Sequence, residues 1–89
     1  MRTKHGSNRD FTQFVHEYVD ENGRTLYAVG QWDESRGEYI RPLDAGERAA
    51  NGGNVFAYIS RDVRNMGAYT SRTQALRRAR YLFGQRGND

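Results

Sequence analysis

The sequence predicts an α+β fold, in which a small antiparallel sheet of three to five strands packs one face against a single carboxy-terminal amphipathic helix. Two observations predict it. Aromatic and β-branched residues flank Asn22-Gly23, the pair best suited to a two-residue hairpin turn because both positions tolerate a positive φ. Farther along the chain, apolar residues recur at helical spacing between Ser71 and Gly84. We therefore expect the strands first and the helix last.

The expected strands share a richness in aromatic and β-branched residues, and they are 11–19, 24–32, 38–43, 55–60 and the short piece 68–70. The first three form a meander, with Asp33–Gly37 as the second turn. Pro42 has no amide hydrogen and marks a strand end or an edge. A short helical turn is expected at Glu47–Ala50, and residues 61–67 are expected to form a loop or a single turn.

The carboxy-terminal helix has recognisable ends. Ser71 followed by Gln74 fits a capping box, and Gly84 stands where a residue of left-handed conformation would end the helix. Between them runs one apolar stripe, made of Ala75, Leu76, Ala79, Leu82 and Phe83. We expect this stripe to pack on the sheet.

A two-residue hairpin loop would place Val19 opposite Leu26 and His16 opposite Val29, which assigns every strand residue to a face. The expected aliphatic face holds Val15, Val19, Leu26, Ala28, Trp32 and Ile40. The expected aromatic face holds Phe14, His16, Tyr18, Tyr27, Tyr39 and Arg41. We expect the helix on the aliphatic face, so the aromatic face should be open or only partly covered.

Length and composition set the domain organisation. The 89 residues suit one domain, 11–86, with a flexible basic arm, 1–10, and a tail, 87–89. There is no cysteine, which excludes a disulfide and a thiolate metal site and fits a reducing compartment. Because the amino terminus has no apolar run and no segment is long enough to span a bilayer, we expect a soluble cytoplasmic protein with no membrane contact.

Charge is distributed unevenly and gives the main functional clue. Residues 10–47 carry nine acidic and three basic residues, whereas residues 48–89 carry eight basic and two acidic ones. Residues 71–84 have no acidic residue, and the candidate binding arginines of the helix and the preceding loop are Arg72, Arg77, Arg78, Arg80, Arg61 and Arg64. A one-sided basic surface suits an anionic partner, either nucleic acid (DNA or RNA) or an acidic protein surface. A solvated helix face and a GC-rich coding sequence are the alternative explanations.

The tyrosines give a second candidate surface. Tyr18, Tyr27 and Tyr39 beside Arg41 would suit stacking on bases or anchoring of a protein partner. The alternative is structural, because tyrosine is a good strand former that tolerates partial exposure.

No catalytic or metal-binding pattern accompanies these surfaces. His5 and His16 are too few and too far apart for a ligand set, and His16 is interpreted as a packed or hydrogen-bonded ring. The acidic residues fall mostly in turns, where they favour solubility or, alternatively, mimic phosphate towards a basic protein. We therefore expect no enzymatic activity, no cofactor and no metal.

At the level of topology, three strands followed by a helix that begins near Ser71 resemble the arm-type DNA-binding domain of phage tyrosine integrases, in which the sheet enters a groove. Small phage inhibitors of host defence, including anti-CRISPR proteins, share this outline. No diagnostic motif accompanies the resemblance, so no family is assigned. The sequence favours a nonenzymatic nucleic-acid-binding module. The alternative is a protein-binding inhibitor or regulator of phage or plasmid type, acting through the same basic surface, for example on a CRISPR-Cas complex.

Overall fold

The structure is a computed structural model that describes residues 10–53 and 57–84. Three expectations fall wholly or partly outside these residues: the arm as far as residue 9, the strand positions Val55 and Phe56, and the end of the domain with its tail from residue 85. Asp10, which was predicted to belong to the arm, caps the first described helix by accepting a hydrogen bond from the amide of Thr12 (3.0 Å).

The described chain has an α+β fold, as the sequence predicts. Its strands are β1 (Val15–Val19), β2 (Thr25–Val29), β3 (Gln31–Asp33), β4 (Glu38–Arg41) and β5 (Tyr58–Ser60), and its helices are α1 (Ala45–Ala50) and α2 (Arg72–Ala79). Two 3-10 helices, Phe11–Phe14 and Val63–Met66, and a π-helical turn after α2, Arg80–Gly84, complete the elements. The expected continuous meander is wrong, because the strands form two antiparallel sheets in the orders β1-β2 and β3-β4-β5.

The loop between β1 and β2 is longer than predicted, and this shifts the register by one residue. Tyr18 lies opposite Leu26, not opposite Tyr27. The cause is Asp20, whose carboxylate accepts a hydrogen bond from the amide of Arg24 (2.9 Å), while its own amide donates to the Arg24 carbonyl (2.9 Å). Asp20 and Arg24 thus close a three-residue loop, in which Gly23 takes a positive φ of 81°.

A shift of one residue exchanges the faces of one strand relative to the other. Tyr18 and His16 share a face with Leu26 and Ala28, whereas Val15 and Glu17 share the other face with Tyr27 and Val29. The predicted separation into an aliphatic and an aromatic face is therefore wrong for this hairpin. Both faces carry aliphatic and aromatic side chains.

Helix α2 covers the hairpin face that carries Val15, Tyr27 and Val29. The hydroxyl of Ser71 accepts a hydrogen bond from the amide of Gln74 (3.0 Å), which confirms the predicted helix start. The main core cluster consists of Phe14, Val29, Ala75, Ala79, Leu82 and Phe83, so four of the five residues of the predicted apolar stripe are confirmed as the packing face, whereas Leu76 is half-buried at its margin. Gly84 was predicted to have a left-handed conformation, but it has no positive φ and closes the π-helical turn.

The opposite face of the hairpin is covered by the segment that follows β5. Met66 is buried there, and the hydroxyl of Tyr18 donates a hydrogen bond to the carbonyl of Gly67 (2.8 Å). A Cβ on Gly67 would lie 3.4 Å from the Cα of Ala28, so this backbone passes close to β2. Leu26 and Ala28 are buried. β2 is therefore covered on both sides, and the hairpin face that carries Tyr18 and His16 is partly covered and not open, which is one of the two expected states.

The three-stranded sheet begins after Gly30, whose amide donates to the carbonyl of Phe14 (2.8 Å). Its register places Trp32, Tyr39, Arg41 and Tyr58 on one face and Ile40 and Ile59 on the other. Trp32 and Ile59 each expose 46% of their surface. The prediction that Trp32 belongs to the core face is therefore wrong.

Candidate nucleic-acid interface

A shallow groove runs beside α2, which we call the α2 groove. Its volume is about 400 Å³, and it is lined by Tyr69, Gln74, Arg77, Arg78 and Tyr81. Four of these residues are three or four positions apart along the helix, so they form one ridge on its surface. Tyr69 also lines the groove, and two backbone hydrogen bonds of 2.9 Å hold it against Tyr27, the middle residue of β2.

The helix and its π-helical turn carry four arginines and no acidic residue. Arg72, Arg77 and Arg80 are exposed and form no ion pair within 10–53 and 57–84. Arg72 does act at longer range on Asp10, because it adds to the larger effect of the Thr12 hydroxyl in lowering the pKa of that carboxyl. The helix therefore presents positive charge to the solvent.

Arg78 differs from its neighbours because its guanidinium is already engaged. It forms an ion pair with the carboxylate of Asp44, and its Cζ lies 5.4 Å from the centre of the Tyr81 ring. The side chains of Arg78 and Asp44 are both partly buried. Arg78 thus has an anionic partner in the fold, and it holds a cation against one face of an exposed tyrosine.

Asp44 connects this ion pair to the rest of the fold. It is the N-cap of α1, where its carboxylate accepts from the amide of Glu47 (2.7 Å) and the Glu47 carboxylate accepts from its amide in return (2.9 Å). Glu47 also accepts two hydrogen bonds from Arg41, of 2.7 and 2.6 Å. The chain of contacts Arg41-Glu47-Asp44-Arg78, which we call the ion-pair chain, therefore links β4, α1 and α2.

The ion-pair chain keeps its carboxylates ionised. The amide of Glu47 and then the guanidinium of Arg78 lower the pKa of Asp44, and the guanidinium of Arg41 lowers the pKa of Glu47. The same contact with Glu47 raises the pKa of Arg41. Because the folded state favours the ionised carboxylates, these contacts stabilise the fold at neutral pH and weaken when the pH falls.

We expect Asp44→Asn to lower the free energy of unfolding at pH 7 by about 1 kcal/mol, because asparagine still caps α1 but removes the charge that Arg78 needs. The difference in unfolding free energy between Asp44→Asn and the parent protein should shrink as the pH falls below about 4, the ordinary pKa of aspartate. It should vanish once the pH is below the lowered pKa of the folded carboxyl, where Asp44 is protonated in both states. Urea unfolding at several pH values measures this difference.

Asp44→Ala is the matched variant, because it removes both the cap and the charge and should cost about 1 kcal/mol more than Asp44→Asn. A loss for Asp44→Asn that stays the same at every pH would contradict the role of the ion pair.

Two further candidate arginines do not line the α2 groove. Arg61 follows β5 and points into solvent, with its Nε 3.9 Å from the carboxylate of Glu38. Arg64 pairs with Asp62 at 2.7 Å, and this contact lowers the pKa of the Asp62 carboxyl. The structure therefore separates these two arginines from the basic face of α2.

The predicted tyrosine surface is dispersed by the fold. Tyr18 bonds to Gly67, as described, and burial raises the pKa of its hydroxyl. Tyr27 packs against the core cluster from the other face of the hairpin. Tyr39 lies in the second sheet, where its ring contacts the edges of Trp32 (4.8 Å between centres) and His16 (5.0 Å).

Arg41 and His16 both have structural partners. Besides Glu47, the guanidinium of Arg41 lies 4.8 Å from the centre of the Tyr58 ring. His16 Nε2 is 2.7 Å from the carbonyl of Gly30, which confirms the interpretation of a hydrogen-bonded ring. Neither residue faces the α2 groove.

Sequence reasoning did not find the groove as a unit. The spacing of Gln74, Arg77 and Tyr81 contained the signal for the helix ridge, and the spacing of Asp44 and Glu47 contained the signal for a capping box. Tyr69 carried no local signal, since its position depends on pairing with a strand that is distant in the sequence.

Two searches of the described residues and three comparisons with known proteins give no further assignment. No group of three histidine, aspartate or glutamate side chains in the described parts of the chain could hold a metal ion. No helix there has both the length and the apolar composition needed to cross a membrane. No protein-family model, no curated protein and no solved structure matches the chain.

Proposed function

We propose that the protein is a small nonenzymatic module that binds nucleic acid through the exposed face of α2. The observation that carries this proposal is that three arginines of α2 and its π-helical turn are exposed and form no ion pair with any other described residue, on a helix with no acidic residue of its own. Arginine forms bidentate hydrogen bonds to phosphate oxygens, and each phosphate that it neutralises releases condensed counterions. The proposal includes a cytoplasmic location, with which a chain without cysteine is compatible.

The fold also supports the proposal by the way it distributes its charge. Arginines outside α2 are largely neutralised by neighbours, as Arg24 is by Asp20 (3.0 Å) and Arg64 is by Asp62 (2.7 Å). The α2 arginines therefore make up a large share of the uncompensated positive charge of the described residues. A phosphate backbone approaching the protein would be attracted towards this helix.

The experiment that tests the proposal compares two charge-matched double variants. Arg77→Gln with Arg80→Gln removes two charges that have no ion-pair partner among the described residues, one from α2 and one from its π-helical turn, whereas Arg24→Gln with Arg36→Gln removes two charges that are paired with carboxylates in turns. At about 50 mM salt, the first variant should bind mixed-sequence DNA much more weakly than the parent protein, and its slope of log affinity against log salt should be shallower by up to about 0.9 per lost contact.

Two results would count against the proposal or its location, and a third measurement is a control for folding. No binding by the parent protein at about 50 mM salt would refute nucleic-acid binding. Equal losses in the two double variants would show that net charge matters and the α2 face does not. A change in the unfolding midpoint of the α2 variant would show that the substitutions disturb the fold, so melts are recorded for both variants.

A second candidate function is a protein-binding inhibitor or regulator of phage or plasmid type, which would use the same arginines against an acidic protein surface. The exposure of Trp32 and Ile59 favours it, since protein interfaces combine charge with exposed apolar side chains. The two functions differ in their response to salt. A packed protein interface loses less affinity with rising salt than a set of phosphate contacts does.

A further inference from the structure

We propose that the α2 groove takes single-stranded nucleic acid, with an unpaired base stacked on Tyr81 and its phosphate bound by Arg77. This inference rests on the proposed function, and it names the class of nucleic acid. It also transfers the stacking role from the tyrosines of the sheets to a tyrosine of the helix end.

Tyr81 is built as a stacking platform. It exposes 41% of its surface, and it is the large aromatic residue of the groove that lies on the same ridge as Arg77. The Arg78 guanidinium lies 5.4 Å from its ring centre, and Asp44 holds that guanidinium in place. The guanidinium covers one side of the ring, so the exposed remainder is the surface on which a base stacks.

The groove offers a mainly apolar surface against which one nucleotide can lie. It is shallow and open, with a volume of about 400 Å³, so it suits the stacking of a base and not its enclosure. Tyr69 and Tyr81 supply ring surface, and Arg77 supplies an exposed cation. These are the components of single-strand sites, which combine a basic surface with aromatic rings.

A duplex would not use this arrangement. Within a double helix, the bases stack on one another and present only their edges to a groove, so the ring face of Tyr81 would find no base face to contact. The tyrosines of the two sheets do not offer an alternative stacking surface beside the groove. Tyr18, Tyr27 and Tyr39 are engaged in the fold, and none of the three lines the α2 groove.

Fluorescence anisotropy with labelled oligonucleotides tests the inference. The probes are a thymidine single strand of about 20 nucleotides, which exceeds the site size of about 4–16 nucleotides typical of single-strand binding folds, and a duplex of the same length. We expect the parent protein to bind the single strand more tightly. We expect Tyr81→Leu to weaken single-strand binding by about tenfold or more and to leave duplex binding within about twofold.

Two control variants separate the ring from other effects. Tyr81→Phe keeps the aromatic face and should retain the single-strand affinity. Trp32→Leu removes an aromatic side chain of similar exposure that does not line the groove, and it should change neither affinity. The comparison of the two probes on the parent protein needs no variant. It therefore tests the preference for single-stranded nucleic acid even if Tyr81→Leu does not fold.

The outcomes distinguish this inference from the proposed function. Equal affinity of the parent protein for both probes, or equal losses for both probes in Tyr81→Leu, would overturn the single-strand assignment and leave nucleic-acid binding in place. Binding of neither probe would refute the proposed function itself. It would direct the search to acidic protein partners.

Discussion

Replacing Phe14 with alanine is expected to lower the free energy of unfolding by about 3–5 kcal/mol, because it leaves a cavity where a buried ring was packed. Phe14 is buried, and its ring stacks on the ring of Phe83 with a centre-to-centre distance of 3.9 Å and an angle of 3°. This pair joins the amino-terminal 3-10 helix to the end of α2. Its loss would therefore weaken the packing of the helix that carries the proposed site.

Urea unfolding measures this loss, and Arg77→Ala serves as its control. Arg77 is exposed, so its truncation should change the free energy of unfolding by no more than about 0.5 kcal/mol. Similar losses in the two variants would mean that the helix presents a different face to the core.

Replacing Gly67 with alanine is expected to cost about 2–4 kcal/mol, because backbone strain and steric overlap act together. Gly67 has φ 141° and ψ 158°, a conformation that side chains other than hydrogen rarely allow. An added Cβ would lie 2.7 Å from a ring carbon of Tyr69 and 3.4 Å from the Cα of Ala28. The backbone at this position would have to move away from β2.

Gly37→Ala is the matched control for Gly67→Ala. Gly37 also has a positive φ, of 67°, but no atom lies within 4 Å of the position that its Cβ would take. It should therefore show the cost of the backbone conformation alone, about 1–2 kcal/mol. If thermal or urea unfolding gives the same loss for both variants, the close approach of Gly67 to Tyr69 and Ala28 contributes nothing to stability.

The parts of the fold that were predictable depend on interactions between residues close in the sequence. The start of α2 follows from a serine and an amide three residues later, and its packing face follows from spacing alone. The hairpin register was missed because two local turn preferences compete. The sequence Asn22-Gly23 favours a two-residue loop, but the carboxylate of Asp20 binds two amides of the loop and enlarges it.

The division into two sheets depends on contacts between distant residues. Gly30 bonds to Phe14 and to His16, and Tyr69 pairs with Tyr27. No local pattern encodes these pairings, so the sequence predicted one continuous meander. The segment at Val63–Met66 was predicted as a loop or a single turn, but its role as the cover of the second hairpin face depends on the same tertiary packing.

As with the fold, the local features of the candidate site were predictable from the sequence and its tertiary contacts were not. The absence of acidic residues from the helix is visible in the sequence and identified its arginines as a group. Which of them are free is a tertiary property, because Asp44 engages Arg78 from 34 residues away. The sequence also placed Arg41 on a binding surface, whereas Glu47 holds it in the ion-pair chain.

The position of Trp32 gives the protein a built-in optical reporter. It is the one tryptophan of the chain, it lies on β3, and it does not line the α2 groove. Its emission therefore reflects its half-exposed contact with Tyr39, which exists only while the three-stranded sheet is intact. Intrinsic fluorescence can thus follow unfolding while a dye on the oligonucleotide follows binding, in a single titration of any variant that keeps this tryptophan.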